Sequence, residues 1–136
     1  MICAATLTAE VAKAIEELEA TFSEASVTVD PTGDGGAWVL IDSVDVGPVF
    51  VGRTSWLRFQ IPFTYPAADI YPMFVRPDLS RVGGEPLGEA LTAGHGCGPD
   101  GLTQAVQVSR RTNAVDAATH TAAGKVLKVL QWLRNR

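Results

Sequence analysis

The sequence predicts a single α+β domain with an antiparallel sheet. Short strand-like segments follow one another from 25 to 75, and segments with helical periodicity lie only before and after the strand-rich part of the chain. Because no helical segment separates successive strands between 25 and 75, the crossovers that a parallel sheet requires are not predicted. The length of 136 residues fits one domain, so we expect 1–136 to fold as one unit.

A first helix is predicted over 8–24. Thr8 is a suitable N-cap, and Glu10 places a carboxylate near the positive end of the helix dipole. Apolar residues recur at helical spacing along one face, namely Val11, Ile15, Leu18 and Phe22.

About four strands are predicted to follow this helix as an antiparallel meander. They cover 25–29, 38–41, 56–61 and 73–75. A turn-rich run of Asp, Pro, Thr and Gly residues separates the first strand from the second. Pro62, Pro66 and Pro72 interrupt regular pairing before the fourth strand, because proline brings no N–H to a ladder. We expect the tryptophans, which are Trp38, Trp56 and Trp132, to lie in the core.

The second half of the chain predicts a long irregular loop and then a helix. Glycines recur throughout 79–104, and a loop of this length inside a compact domain usually has a function. Residues 105–108 have the pattern of a short strand, and Asp116 is a candidate N-cap for the final helix. The apolar face of that helix is expected to consist of Ala122, Ala123, Val126, Leu127, Leu130 and Leu133. Its solvent-facing side is expected to carry Lys125, Lys128 and Arg134.

The composition limits the classes of function. A formal net charge of -4 gives no overall field that attracts a phosphate backbone, so nucleic acid is not an expected partner. The two cysteines are too few for a disulfide framework, and neither they nor the two histidines have metal-ligand spacing, so we predict no metal site. The glycine-rich segments match no phosphate-binding motif, and we predict no cofactor. A reducing cytoplasm is the expected compartment, and no run approaches the roughly 20 apolar residues of a membrane span.

A proline-rich motif lies between 61 and 77. It reads Ile61-Pro62-Phe63-Thr64-Tyr65-Pro66 and continues as Tyr71-Pro72-Met73-Phe74-Val75. With the element order, it resembles the Tyr-Pro stretch and following strand of the ubiquitin-conjugating (UBC) family. Ser109-Arg110-Arg111-Thr112-Asn113 and 129–134 look more like the divergent bacterial members of that superfamily. The resemblance implies a UBC-like fold, and it places Phe63 near a surface where the family meets ligases.

The resemblance also implies a role for Cys97, which lies in the predicted loop where the family's nucleophile is expected. Its thiolate would take a ubiquitin-like protein from an activating enzyme as a thioester and pass it to an acceptor in a bacterial conjugation pathway. The flanking glycines predict an open sulfur. His95 would lie on the same side of an extended segment and act as a base. The alternatives are an incidental loop cysteine and a histidine that faces water.

One departure from the family pattern favours a different function. The eukaryotic enzymes carry a His-Pro-Asn triplet before the cysteine, and no asparagine precedes Cys97 in this chain. The alternative to thioester transfer is therefore a catalytically inactive UBC-like or RWD-like adaptor that uses the fold for protein–protein contact.

Arg110, Arg111 and Asn113 are the candidate binding residues. Arginine forks bind carboxylates with two hydrogen bonds, and a ubiquitin-like tail ends in a carboxylate. The alternative is a structural ion pair, for example with Asp78. Asn113 could donate to an oxyanion in place of the missing asparagine, or it could cap the turn before the last helix.

Overall fold

The computed structural model describes residues 7–136, so Cys3 lies outside the described residues. These residues form helix α1 (Ala9–Thr21), six strands and helix α2 (Ala122–Arg134). The strands are β1 (Val27–Pro31), β2 (Ala37–Asp45), β3 (Thr54–Ile61), β4 (Met73–Val75), β5 (Leu91–Cys97) and β6 (Thr103–Val108).

The strands form one antiparallel sheet in the order β1-β2-β3-β4-β6-β5. The α+β class and the antiparallel sheet are therefore confirmed. The sheet has six strands where about four were predicted: β6 extends the short strand predicted at 105–108, and β5 occupies part of the predicted loop. The prediction of an irregular segment from 79 to 104 is thus wrong for Leu91–Cys97, because this segment pairs with β6 along a ladder that is interrupted by a bulge after Thr92.

The two helices and one face of the sheet enclose the main core. On β3, Leu57, Phe59 and Ile61 alternate with half-buried residues and are fully buried. They belong to the same cluster as Leu18 of α1 and Leu130 of α2. Removal of this apolar surface from water is the principal force that holds the helices on the sheet.

The opposite face of the sheet carries a second, smaller cluster. Its buried members are Phe74, Cys97 and Ala105, and it also includes the partly buried Trp38 and Trp56. Neighbouring residues on a strand point to opposite faces, so these side chains alternate with those of the main core. The tryptophans were expected in the core, and the structure places them at its margin: each is partly buried, Trp132 packs against the main core, and Trp38 and Trp56 pack against the second cluster.

Helix α2 begins later than its predicted cap suggests. The Thr121 hydroxyl accepts a hydrogen bond from the Gly124 N–H at 3.0 Å, so Thr121 is the N-cap. Asp116 instead accepts from the Ala118 N–H at 3.0 Å in the turn that precedes the helix. Among residues 7–136, no helix has the length and apolar character to cross a membrane.

Candidate functional site

Cys97 ends β5, which is an edge strand. Cys97 lies opposite Thr103 and His95 lies opposite Ala105 in the ladder with β6. Alternation along β5 therefore directs the side chains of His95 and Cys97 to the same face of the sheet, as the sequence predicts. That face carries the second cluster and is the one opposite the helices.

The Cys97 side chain is buried, with 1% of its surface exposed. It packs in the cluster that contains Phe74 and Ala105. An open sulfur was expected because glycines flank the residue, and the structure differs because 91–97 pairs with β6 as a strand and directs the thiol into this cluster. His95, two residues earlier, is half-buried.

The surroundings of Cys97 have opposing effects on the pKa of its thiol. Burial raises the pKa of the Cys97 thiol above its ordinary value, and the neighbouring Arg58 guanidinium partly offsets this effect. Arg58 also donates a hydrogen bond from Nη1 to the Thr103 hydroxyl at 3.1 Å. Gly98 lies against this guanidinium, and a Cβ atom at that position would collide with it. Because burial dominates, the sulfur is held in its neutral form.

A cavity of about 290 Å³ opens on the same face of the sheet. It is lined by Leu40, Asp42, Trp56, Arg58 and Thr103. Cys97 does not line it, but its neighbours Arg58 and Thr103 do.

Arg110 and Arg111 lie beyond the end of β6, next to aromatic rings. The guanidinium carbon of Arg110 is 4.8 Å from the centroid of the Trp132 ring, and that of Arg111 is 4.0 Å from the Tyr71 ring. The predicted ion pair with Asp78 is wrong, because Asp78 binds Arg76 with a nitrogen–oxygen distance of 3.2 Å. Stacking orients a guanidinium while its N–H groups stay available to a ligand.

A buried ion pair fixes the segment that carries these arginines. Lys125 of α2 lies 3.1 Å from an Asp69 carboxylate oxygen, and its ammonium also donates to the Arg110 carbonyl at 2.7 Å and to the Thr112 hydroxyl at 2.9 Å. Asp69 in turn accepts a hydrogen bond from the Thr112 N–H at 2.7 Å. Burial lowers the pKa of Lys125, and Asp69 opposes that shift.

This ion pair was not predicted from the sequence. Lys125 was expected on the solvent-facing side of α2, whereas the side chain is 5% exposed. One feature of the sequence indicates its burial. Lys125 follows the apolar Ala122 by three residues, and residues three apart lie on the same face of a helix.

Asn113 is exposed in the segment between β6 and α2. Thr121 is the N-cap of α2 itself, and the alternative that Asn113 caps the turn before that helix stays a prediction.

The structure places the predicted binding arginines away from Cys97 and His95. Cys97 pairs with Thr103 at one end of β6, whereas Arg110 and Arg111 follow Val108 at the other end. Strands rise about 3.3 Å per residue, so Thr103 and Val108 are about 17 Å apart. In addition, Arg110 stacks on Trp132 of α2, whereas Cys97 lies on the sheet face opposite the helices.

Residues 7–136 contain no group of three or more His, Cys, Asp or Glu side chains arranged to hold a metal ion. Comparison of this chain with protein-family models, curated proteins and solved structures gave no match.

Proposed function

We propose that this chain is a protein-interaction adaptor with a UBC-like or RWD-like fold, and that it forms no thioester. The observation that carries the proposal is the burial of Cys97 at 1% exposure. A nucleophile must reach a carbonyl carbon of its substrate, and the thiolate must form near neutral pH. Cys97 lacks access, and its raised pKa disfavours the thiolate.

Exposure of Phe63 supports a role in protein contact. Its side chain is 53% exposed directly after β3, in the segment that the family resemblance places near a ligase surface. Covering a large exposed aromatic ring by a partner removes apolar surface from water, which favours binding.

Thioester transfer through Cys97 is the second candidate function. The observation that favours it is the Arg58 guanidinium beside the thiol, which would stabilise a thiolate once the sulfur became accessible. His95 on the same face of β5 would be available as a base.

Thiol labelling tests the adaptor proposal. In a Cys3→Ser background Cys97 is the remaining cysteine of the chain, and its reaction with iodoacetamide is measured in the native and the denatured protein. We expect labelling of the native protein to be slower by roughly a hundredfold or more, because the sulfur becomes accessible only when the edge strand opens. The same protein should form no thiol-sensitive adduct with a peptide thioester that ends in glycine.

The control places an open thiol in the same hairpin. Leu102, between β5 and β6, is 74% exposed, so Leu102→Cys in a Cys3→Ser, Cys97→Ala background should label at the rate of an unprotected cysteine. Native labelling of Cys97 as fast as this control, together with an adduct that Cys97→Ala abolishes, would contradict the adaptor and support thioester transfer.

A further inference from the structure

Three cationic side chains surround Trp132 near the end of α2. Arg110 and Arg136 place their guanidinium carbons 4.8 Å and 4.5 Å from the centroid of this ring. Lys128 lies one helical turn before Trp132 and is exposed. We use the name basic groove for the depression of about 170 Å³ that is lined mainly by Arg110, Arg111, Lys128 and Trp132.

Most cations of the basic groove are not neutralised by the protein. Within the described part of the chain, Arg110, Arg111 and Lys128, which line the groove, and Arg136, which stacks on Trp132 beside it, take part in no ion pair. Lys125 also lines the groove, and its charge is matched by Asp69. Like charges that are held together without a counter-ion produce a local positive potential, although the formal net charge of the chain is -4.

The arginines are also ordered before any ligand arrives. Arg110 stacks on Trp132 and Arg111 stacks on Tyr71, and Lys125 holds the Arg110 carbonyl at 2.7 Å. Pre-ordered side chains lose less conformational entropy on binding, and a stacked guanidinium keeps a fork of N–H donors that matches a carboxylate.

A second depression adjoins the basic groove. This one has a volume of about 190 Å³ and shares Thr112, Lys125 and Lys128 with the first. Asp116 and His120 line its far part. Two adjoining depressions beside a helix offer an extended segment a surface to lie along, and Val129 and Trp132 give the basic groove apolar surface for its side chains.

We propose that the basic groove binds an acidic peptide segment of a partner protein through Asp and Glu carboxylates. Charge complementarity identifies the chemistry of this partner. A nucleic acid is disfavoured because the positive potential is confined to one short groove on an acidic protein. The proposal rests on the adaptor function, because it assigns that function a surface and a class of partner.

The test is a titration of isotopically labelled protein, followed by the indole N–H signals of the tryptophans in the NMR spectrum. The probe is an acetylated, amidated peptide pool in which Asp or Glu alternates with random neutral residues. The matched pool replaces each Asp by Asn and each Glu by Gln. We expect the acidic pool to shift the Trp132 signal, and Trp38 and Trp56 serve as internal controls because they lie on the opposite face of the sheet.

Variants locate the binding to the basic groove. Arg110→Gln combined with Arg111→Gln should weaken binding about tenfold or more, because each substitution removes hydrogen bonds to a charged group. Lys13→Gln combined with Arg53→Gln removes the same net charge elsewhere, from exposed positions, and should change affinity less than about twofold. Circular dichroism melting of each variant checks that it is folded.

Several outcomes would overturn the proposal. They are equal binding of the two pools, shifts at Trp38 or Trp56 in place of Trp132, and equal losses in the two double variants. Tighter binding of a single-stranded oligonucleotide would identify a nucleic-acid partner. A concentration-dependent Trp132 shift without peptide would identify a second copy of this chain as the occupant. Labelling of Cys97 is measured separately, so failure of the basic groove and failure of the adaptor function give different results.

Discussion

At the scale of single residues, His120 is the titratable side chain whose surroundings most clearly predict a pH effect. Its ring contacts Tyr65 with a centroid distance of 5.7 Å, and within the described residues its buried Nε2 atom has no hydrogen-bond partner. Burial lowers the pKa of His120 below its ordinary value of 6.5, Asp69 opposes the shift, and Lys125 and Lys128 reinforce it. The folded protein therefore favours the neutral imidazole.

Protonation of His120 should destabilise the fold. Because the folded-state pKa is depressed, the unfolded chain binds the proton first as the pH falls below about 6.5. The free energy of unfolding should therefore decrease as the pH is lowered from about 7.5 to about 5, and this decrease should be smaller in His120→Gln. Denaturant unfolding at several pH values measures both slopes. Parallel curves for the two proteins would show that His120 is not the responsible group.

At the scale of secondary-structure elements, the Lys125–Asp69 pair joins α2 to the connection between β3 and β4, and the other bonds of Lys125 join it to the segment after β6. Lys125→Met removes the cation and leaves a buried Asp69 carboxylate, so we expect the free energy of unfolding to fall by about 3 kcal/mol. The hydrogen bonds from Lys125 to the Arg110 carbonyl and the Thr112 hydroxyl are lost as well.

Lys128→Met is the matched control for this prediction. Lys128 lies on the same helix and is exposed, so its substitution should change the stability by no more than about 0.5 kcal/mol. Chemical denaturation of both variants gives the comparison. Equal losses would mean that the ion pair stabilises the fold no more than a surface lysine does.

The elements that local patterns specify were predictable, and those that depend on distant partners were not. The α1 helix and strands β1 to β4 follow from periodicity and turn residues in neighbouring sequence. Strand β5 contains Gly94 and Gly96, which local preference disfavours in a strand, and it exists because β6 offers a ladder. The same pairing buries Cys97, so sequence alone located the residue but not its exposure.

The candidate site shows the same limit. Arg110 and Arg111 were identified from their residue type, and Trp132 was assigned to the core because large aromatic rings usually lie there. The stacking that places Arg110 over Trp132 joins residues that are far apart in sequence. Lys125 was misplaced for a related reason, since its partner Asp69 lies in a different part of the chain.

At the scale of the whole molecule, the sheet separates two sets of polar and reactive groups. Arg58 and Cys97 belong to the sheet face opposite the helices, and the basic groove lies beside α2. A thioester site supported by the arginines would require energetic coupling between the two sets. The adaptor with a separate peptide groove requires none, because sites without shared contacts contribute independently to stability.

A double-mutant cycle distinguishes these two arrangements. Cys97→Ala should cost about 1 kcal/mol because it removes a buried sulfur, and Arg110→Ala should cost less because the side chain is exposed. The double variant should show the sum of the two losses within about 0.5 kcal/mol, since the residues lie at opposite ends of β6. Equilibrium unfolding of the four proteins gives the interaction energy. A value above about 1 kcal/mol would connect the two sets through the sheet and would reopen a shared catalytic role, because coupling of that size is typical of residues in contact or in one network.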